Sequence, residues 1–264
     1  MFDPSLLAHV EDAGLNASAP TQQRWVDGWL VRFSPGKAKR ARCINAVAPG
    51  RLGVEEKIAL CEPLYAQGSL PLYVRVTPFS HPRDLDIRLG RMGMDREDDT
   101  RVMVCSAPGT LPAARFAPGH RIERLGHRRF AELVGRLRGS PQAHVRAHAQ
   151  RLATSPVPYA GFALVDSHGA MVSCGQFALE GCMVGLYDVY TDEAHRARGY
   201  ARALCRYLLE VASARGATVS YLQVEAANAP ARRVYQQLGF RDAYAYHYRR
   251  PGHAEGAAGG PGTP

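Results

Sequence analysis

With 264 residues and 46% hydrophobic side chains, the chain can bury one large core or two small ones, which excludes a disordered protein. A balance of 33 Lys and Arg against 24 Asp and Glu gives +9, concentrated at Lys37 to Arg42, Arg121 to Arg129 and Arg196 to Arg202. Polyphosphate cofactors, nucleic acid or acidic surfaces fit that charge, and so does ordinary solvated arginine.

The six cysteines (Cys43, Cys61, Cys105, Cys174, Cys182, Cys205) show neither CxxC spacing nor nearby paired histidines. They read as buried free thiols in a reducing compartment, not as a zinc set or a disulfide frame. The amino terminus lacks a basic stretch followed by an apolar one, and no segment reaches membrane-spanning length. A soluble, cytoplasmic protein is expected.

In chain order, "DGWLVRFS" and "ARCINAVA" flank "PGKAKR" and predict an antiparallel strand pair. Trp25 and Trp29 flank the first of these strands, with core packing as their default role and a substrate-cleft wall as the alternative. "GVEEKIALCEPLYAQGS" places Val54, Ile58, Cys61, Leu64 and Tyr65 on one helical face, with Pro63 expected to end or kink the helix. A strand "LPLYVRVTPF", a short helix "RDLDIRLGRMG" and a strand "TRVMVCSA" follow. The Pro/Gly-interrupted stretch 107–121 predicts a connection between two halves. Beyond it lie helical segments on both sides of Gly139-Ser140-Pro141, then strands "YAGFALVD", "MVSCGQFALE" and "MVGLYDVYT". A helix from about Gly199 to Arg215, a strand "TVSYLQVE", a helix from about Ala229 to Leu238 and a tyrosine-rich strand complete the second half. The expected division is 1–115, 121–250 and a tail, 251–264, too poor in apolar residues to order itself.

The richest motif is "HRARGYARALC", 195–205. Ala201, Leu204, Cys205, Leu208, Val211 and Ala212 recur at spacings of three and four, so a helix begins near Gly199. A helix start presents unpaired backbone N–H groups and the positive end of a dipole, and glycine lets an anion approach the main chain. No Gly-Lys-Ser/Thr ending or triple-glycine fingerprint accompanies it.

"GLYDVYTDEAHRARGYARAL" followed by "VSYLQVEAANAPARRVYQQLGF" closely resembles the cofactor-binding half of the GNAT N-acetyltransferase superfamily. Arg196, Gly199 and Ala201 match one signature; Asn228, Ala231, Tyr235, Gly239 and Phe240 match the next, over about 159–249. The third position of the first signature is Ala201, where many members have glycine. The first half is more weakly similar to the amino-terminal part of tandem GNAT-like proteins and lacks the cradle signature. The resemblance implies an α+β fold with a mixed sheet in two GNAT-like halves, the first a degenerate repeat. It implies acetyl-CoA as co-substrate, an amine acceptor and no metal. The backbone of Val189, Tyr190 and Thr191 would pair with the pantetheine arm. The amides of Ala197, Arg198, Gly199, Tyr200, Ala201 and Arg202, with Arg196 beside them, would hold the pyrophosphate. Asn228 would reach the cofactor, and Tyr235 would stand near the thioester sulfur.

For direct attack by an amine, Tyr235 is the candidate general acid, with packing against Phe240 as its bland alternative. Asp188 and Glu225 are candidate bases, although strand alternation warns that Asp188 faces away from Val189 or pairs with arginine. His168 and His195 read as surface histidines. Two other readings stay open: a catalytically silent acyl-CoA sensor, and a nucleic-acid-binding regulator using the 121–151 helices. The latter lacks helix-turn-helix spacing, a zinc set or an RNA-binding aromatic motif. The sequence does not name the acceptor, and a homodimer is left open.

Overall fold

Asp27-Gly28 lies between two β-rich runs, and both residues take positive φ (41° and 84°), the geometry of a two-residue hairpin turn. It joins β1 (Gln22–Val26) to β2 (Trp29–Phe33), which pairs onward with β3 (Ile44–Asn45), antiparallel as the sequence predicts. Helix α2 (Val54–Gln67) leads to β4 (Val74–Val76), parallel to β3; α3 (Leu85–Arg91) leads to β5 (Met94–Cys105). The second half runs β6 (Arg121–Leu125), α4 (His127–Leu137), α5 (Gln142–Thr154), β7 (Tyr159–Val165), β8 (Met171–Glu180) and β9 (Met183–Thr191). It closes with α6 (Tyr200–Ser213), β10 (Val219–Glu225), α7 (Ala229–Gln237) and β11 (Arg241–Pro251). The computed structural model describes residues 2–252.

The strands form one sheet of 11, in the order β1-β2-β3-β4-β11-β5-β10-β9-β8-β7-β6. That order has approximate two-fold symmetry about the β11–β5 pair: parallel β3 and β4, bridged by α2, correspond to parallel β9 and β10, bridged by α6. The two halves exchange strands at the centre. β11 lies between β4 and β5, and β5 lies between β11 and β10, so a boundary near 115–121 separates the halves along the chain but not across the sheet.

Alternation along the strands assigns the layers. Val102 and Val104 of β5 face a core shared with Phe130 and Leu133 of α4 and Val10 of α1 (Pro4–Ala17). Met103 and Cys105 face the opposite core, under α6 and α7. The core of α2 and α3 lies on the same face as that of α6, because Tyr73 belongs to the α4 side and Val74 to theirs.

Several expectations are corrected. Pro63 lies inside α2 without ending it; Pro63 and Ala59, whose carbonyl loses its amide partner, are both exposed, while Val54, Ile58, Cys61 and Tyr65 anchor the helix. Leu64 is only half-buried, and Lys57 is buried in its stead, its ammonium on Asp27. Cys182 is exposed in the β8–β9 turn, whereas the other five cysteines are buried. Trp29 is fully buried, but Trp25 points outward from the edge strand β1 at 63% exposure. Pro251 is not tail: it pairs with Met94 at the end of β11, and 253–264 lie outside the described residues. Among the described residues, no helix is long and apolar enough to cross a membrane.

Candidate active site

The site starts from a fault in the sheet. β9 and β10 pair in parallel only from Met183 to Leu186, opposite Val219 to Leu222. Beyond Leu186, β9 bulges: Tyr187 and Tyr190 are the partners of Gln176 and Cys174, so Asp188 and Val189 both stand opposite Gly175. Asp188 takes φ +50°, a left-handed conformation that costs a non-glycine residue about 1 kcal/mol or more. The bulge turns β9 away from β10 and leaves the β10-facing backbone of Val189, Tyr190 and Thr191 without a strand partner.

The turn after β9 feeds the opened edge. Asp192 caps a short 3-10 turn over Glu193–His195, and its carboxylate accepts the Ala194 amide and faces the His195 ring at 2.9 Å. Ala197 and Gly199 both lie in the left-handed region (φ 62° and 81°) on either side of Arg198, so successive N–H groups converge in a concave nest. Gly199 is the residue just before α6, and a Cβ there would meet nothing within 4 Å, so conformation, not crowding, requires glycine. Helix α6 is held in place by Leu204, Cys205, Leu208, Leu209 and Ala212, all buried. Each such leucine contributes about 2 kcal/mol.

These features share a cavity of about 840 Å³ with the start of α7. Its lining includes Val189, Tyr190, Thr191, every residue from Arg196 to Arg202, Asn228 and Tyr235. Asn228 caps α7 through Oδ1, which accepts the Ala231 amide, leaving Nδ2 for a ligand. Tyr235 is half-buried, with its ring edge-on to Phe240 at 6.1 Å. Burial first, and the Cys205 thiol second, hold the Tyr235 hydroxyl well above the ordinary tyrosine range, so it stays protonated. Arg196 pairs with Glu193 at 3.0 Å and lies over the Tyr190 ring. Arg202 reaches Gln237.

Neither candidate base lies in this cavity. Glu225 is exposed at the end of β10. The bulge directs Asp188 to the α4–α5 face, opposite Val189, where Arg138 meets it at 2.9 Å, Gln176 Nε2 at 2.7 Å and His148 Nε2 at 3.3 Å. Burial alone would raise its carboxyl pKa, but the His148 and Arg138 partners hold it far below the carboxylate range. Arg138, His148 and Gln176 carry no local motif, and only the fold brings them together. His168 is exposed, and His195 is engaged with Asp192.

In the first half, the helix start corresponding to Gly199 is already filled. The Asp27 carboxylate accepts the amides of Arg51 and Leu52 just before α2 and lies 3.1 Å from Lys57 Nζ. Those backbone hydrogen bonds draw its pKa down to about 2.

Residues 5–249 match the family described as "Probable histone acetyltransferase Rv0428c C-terminal". The chain belongs to this family. It is a GNAT acyltransferase. "Uncharacterized N-acetyltransferase YobR" of Bacillus subtilis is 25% identical over 232 residues, covering 86% of this chain and 91% of that protein. The ribosomal protein bS18-alanine N-acetyltransferase of Escherichia coli is 34% identical over 58 residues, only 22% of this chain and 39% of that enzyme. In fold, the chain is similar to a GCN5-related N-acetyltransferase from Kribbella flavida (TM-score 0.69, 17% identity, 94% and 96% of the two chains covered). It is similar also to a tandem GNAT protein from the clavulanic acid biosynthesis pathway (TM-score 0.65, 14% identity, 91% and 89% covered).

Proposed function

We propose that this acyltransferase moves an acetyl group from acetyl-CoA to a primary amine by direct attack in a ternary complex. The observation that carries the reading is the single cavity joining the opened edge of β9, the Ala197–Gly199 nest, Asn228 and Tyr235. The nest and the α6 dipole suit a diphosphate, with Arg196 and Arg198 adding charge. The β10-facing edge of Val189 to Thr191, which has no strand partner, suits the amide-bearing pantetheine arm, as a strand partner would.

Attack on the thioester carbonyl forms a tetrahedral intermediate, and the C–S bond then breaks to release the CoA thiolate. A backbone N–H at the bulge would stabilise the oxyanion. A thiolate of solution pKa near 8.5 needs little more than a hydrogen bond to leave, and the firmly protonated Tyr235 hydroxyl donates one. His148 would take up the amine's proton, and Asp188, held too acidic to be protonated itself, would stabilise the resulting imidazolium. The amine would reach the carbonyl through the gap between β9 and β10, from the α4–α5 face. With its own helix start closed by Asp27, the first half would bind no second cofactor and would instead form part of the acceptor side. A cytoplasmic location belongs to the same reading.

The test is release of CoA thiol from acetyl-CoA across amines, polyamines, amino acids and peptides. Release with stoichiometric acetylated product supports transfer. Tight acetyl-CoA binding without release on any acceptor replaces it with the sensor reading.

A further inference from the structure

A groove leads from the surface to Asp188. A narrow cavity of about 70 Å³ lies between the 34–41 segment of the first half and helices α4 and α5, with Asp188 in its wall. It shares Ser34, Ala147 and Arg151 with a wider surface cavity of about 680 Å³ that extends past Phe33 and β1. The inner end is wide enough for little more than an amine head, and the outer groove has room for what carries it. Asp188 itself adjoins Val189, which lines the cofactor cavity on the other face of β9.

The charge of this route is one-sided. Arg24, Lys37, Arg138 and Arg151 line the two cavities, and Asp188 is the one carboxylate among their described lining residues. Arg138 neutralises Asp188. Arg151 is turned toward the Ala17 carbonyl and the Tyr159 hydroxyl, neutral partners, and forms no ion pair with a carboxylate among the described residues. Arg24 and Lys37 are exposed along the approach. At the inner end, His144 Nδ1 is buried with no hydrogen-bond partner among the described residues. Such a nitrogen is costly to leave unmatched and is ready to meet a polar group of a ligand.

We infer that the acceptor is a primary amine carried beside carboxylate groups, entering by this groove with its amine at Asp188 and its acid groups toward Lys37, Arg24 and Arg151. The inference rests on the acetyl-transfer reading for its chemistry, but not for its charge selectivity. A lysine-rich acceptor would bring positive charge into a positive groove, which like-charge repulsion opposes.

The experiment uses the full chain loaded with CoA and fluorescent peptides of equal length with a free amino-terminal amine, followed by Glu/Asp or by Lys/Arg residues. Free glutamate as competitor separates a small-molecule source from a peptide one: displacement at low millimolar concentration marks the amino acid itself, and none marks the acidic peptide. The acidic peptide is expected to bind at least about tenfold tighter at low salt, the gap closing as salt rises. Lys37→Glu with Arg24→Glu, both at exposed positions, should weaken acidic-peptide binding about tenfold and leave the acetyl-CoA Kd unchanged. Equal or tighter binding of the basic peptide, or an unchanged acidic Kd in the double variant, overturns the inference. Thiol release is read in the same samples. Selective acidic-peptide binding without release sinks the transfer reading and leaves the groove assignment standing. Release on both peptides without preference does the reverse.

Discussion

Replacing Gly199 separates conformation from charge at the nest. At φ +81°, any L-residue incurs about 1–2 kcal/mol of left-handed strain, and since a Cβ there meets nothing within 4 Å, no clash adds to it. Gly199→Ala therefore measures the strain alone. Gly199→Asp carries no more strain than alanine and adds a negative charge about 5 Å from the nearer phosphate of the expected diphosphate; at an effective dielectric of 20 this costs about 3 kcal/mol against that single charge. The aspartate variant should bind acetyl-CoA roughly a hundredfold more weakly than the alanine variant, with both unfolding at similar temperatures. Isothermal titration of the two, beside thermal unfolding, reads both quantities. A folded aspartate variant whose Kd lies within about threefold of the alanine variant would refute the nest as the diphosphate site.

Tyr235→Phe should lower kcat by about 10- to 100-fold in steady-state thiol release, with the acetyl-CoA Kd within about twofold; unchanged kcat removes the hydroxyl from the chemistry. Asp188→Asn should cost about 2 kcal/mol at pH 7 in urea unfolding, because Arg138 and His148 lose their anion. The sign with pH follows from a folded carboxyl held below its unfolded value: the stabilisation is fully present above about pH 4 and is lost as pH falls from there toward the folded pKa. The gap between wild type and Asn should thus narrow by about 1 kcal/mol between pH 5 and pH 3, and a constant gap would refute the assignment. With a disulfide reagent at pH 8, Cys182 alone should react fast. Burial closes off the other five and pushes Cys174 and Cys205 up to about 12 and Cys43 and Cys61 up to about 11. A second fast thiol in the folded protein would contradict the burial described.

Where apolar periodicity was strong, the sequence was enough. The α6 stripe from Leu204 to Ala212 and the β7–β8–β9 meander lie where spacing predicts them. Helix α1 was not legible, because it buries Val10, Glu11, Ala13, Gly14, Leu15 and Ala17, a face of small residues and one acid without a bulky stripe. Its only overt signals were the Asp3 cap and Pro4. The short edge strand β6, in which only Leu125 is buried, gave no alternation to read. The exchange of β5 and β11 is a long-range pairing that no local pattern encodes. That Val189 to Thr191, Arg196 to Arg202, Asn228 and Tyr235 would come together was legible because they lie in two contiguous stretches of chain, and they line one cavity. The Asp188 network was not, because Arg138, His148 and Gln176 come from three separate elements and meet only through a one-residue bulge. The same bulge realises the alternation warning about Asp188 and turns it to the α4–α5 face, opposite Val189.

The central claim is one acetyl-CoA site, in the second half and open, beside a first-half counterpart closed by Asp27. Isothermal titration of the full chain with acetyl-CoA tests it most directly. The account predicts saturable binding at one molecule per chain; no binding at millimolar ligand, or two equivalent sites per chain, would contradict it.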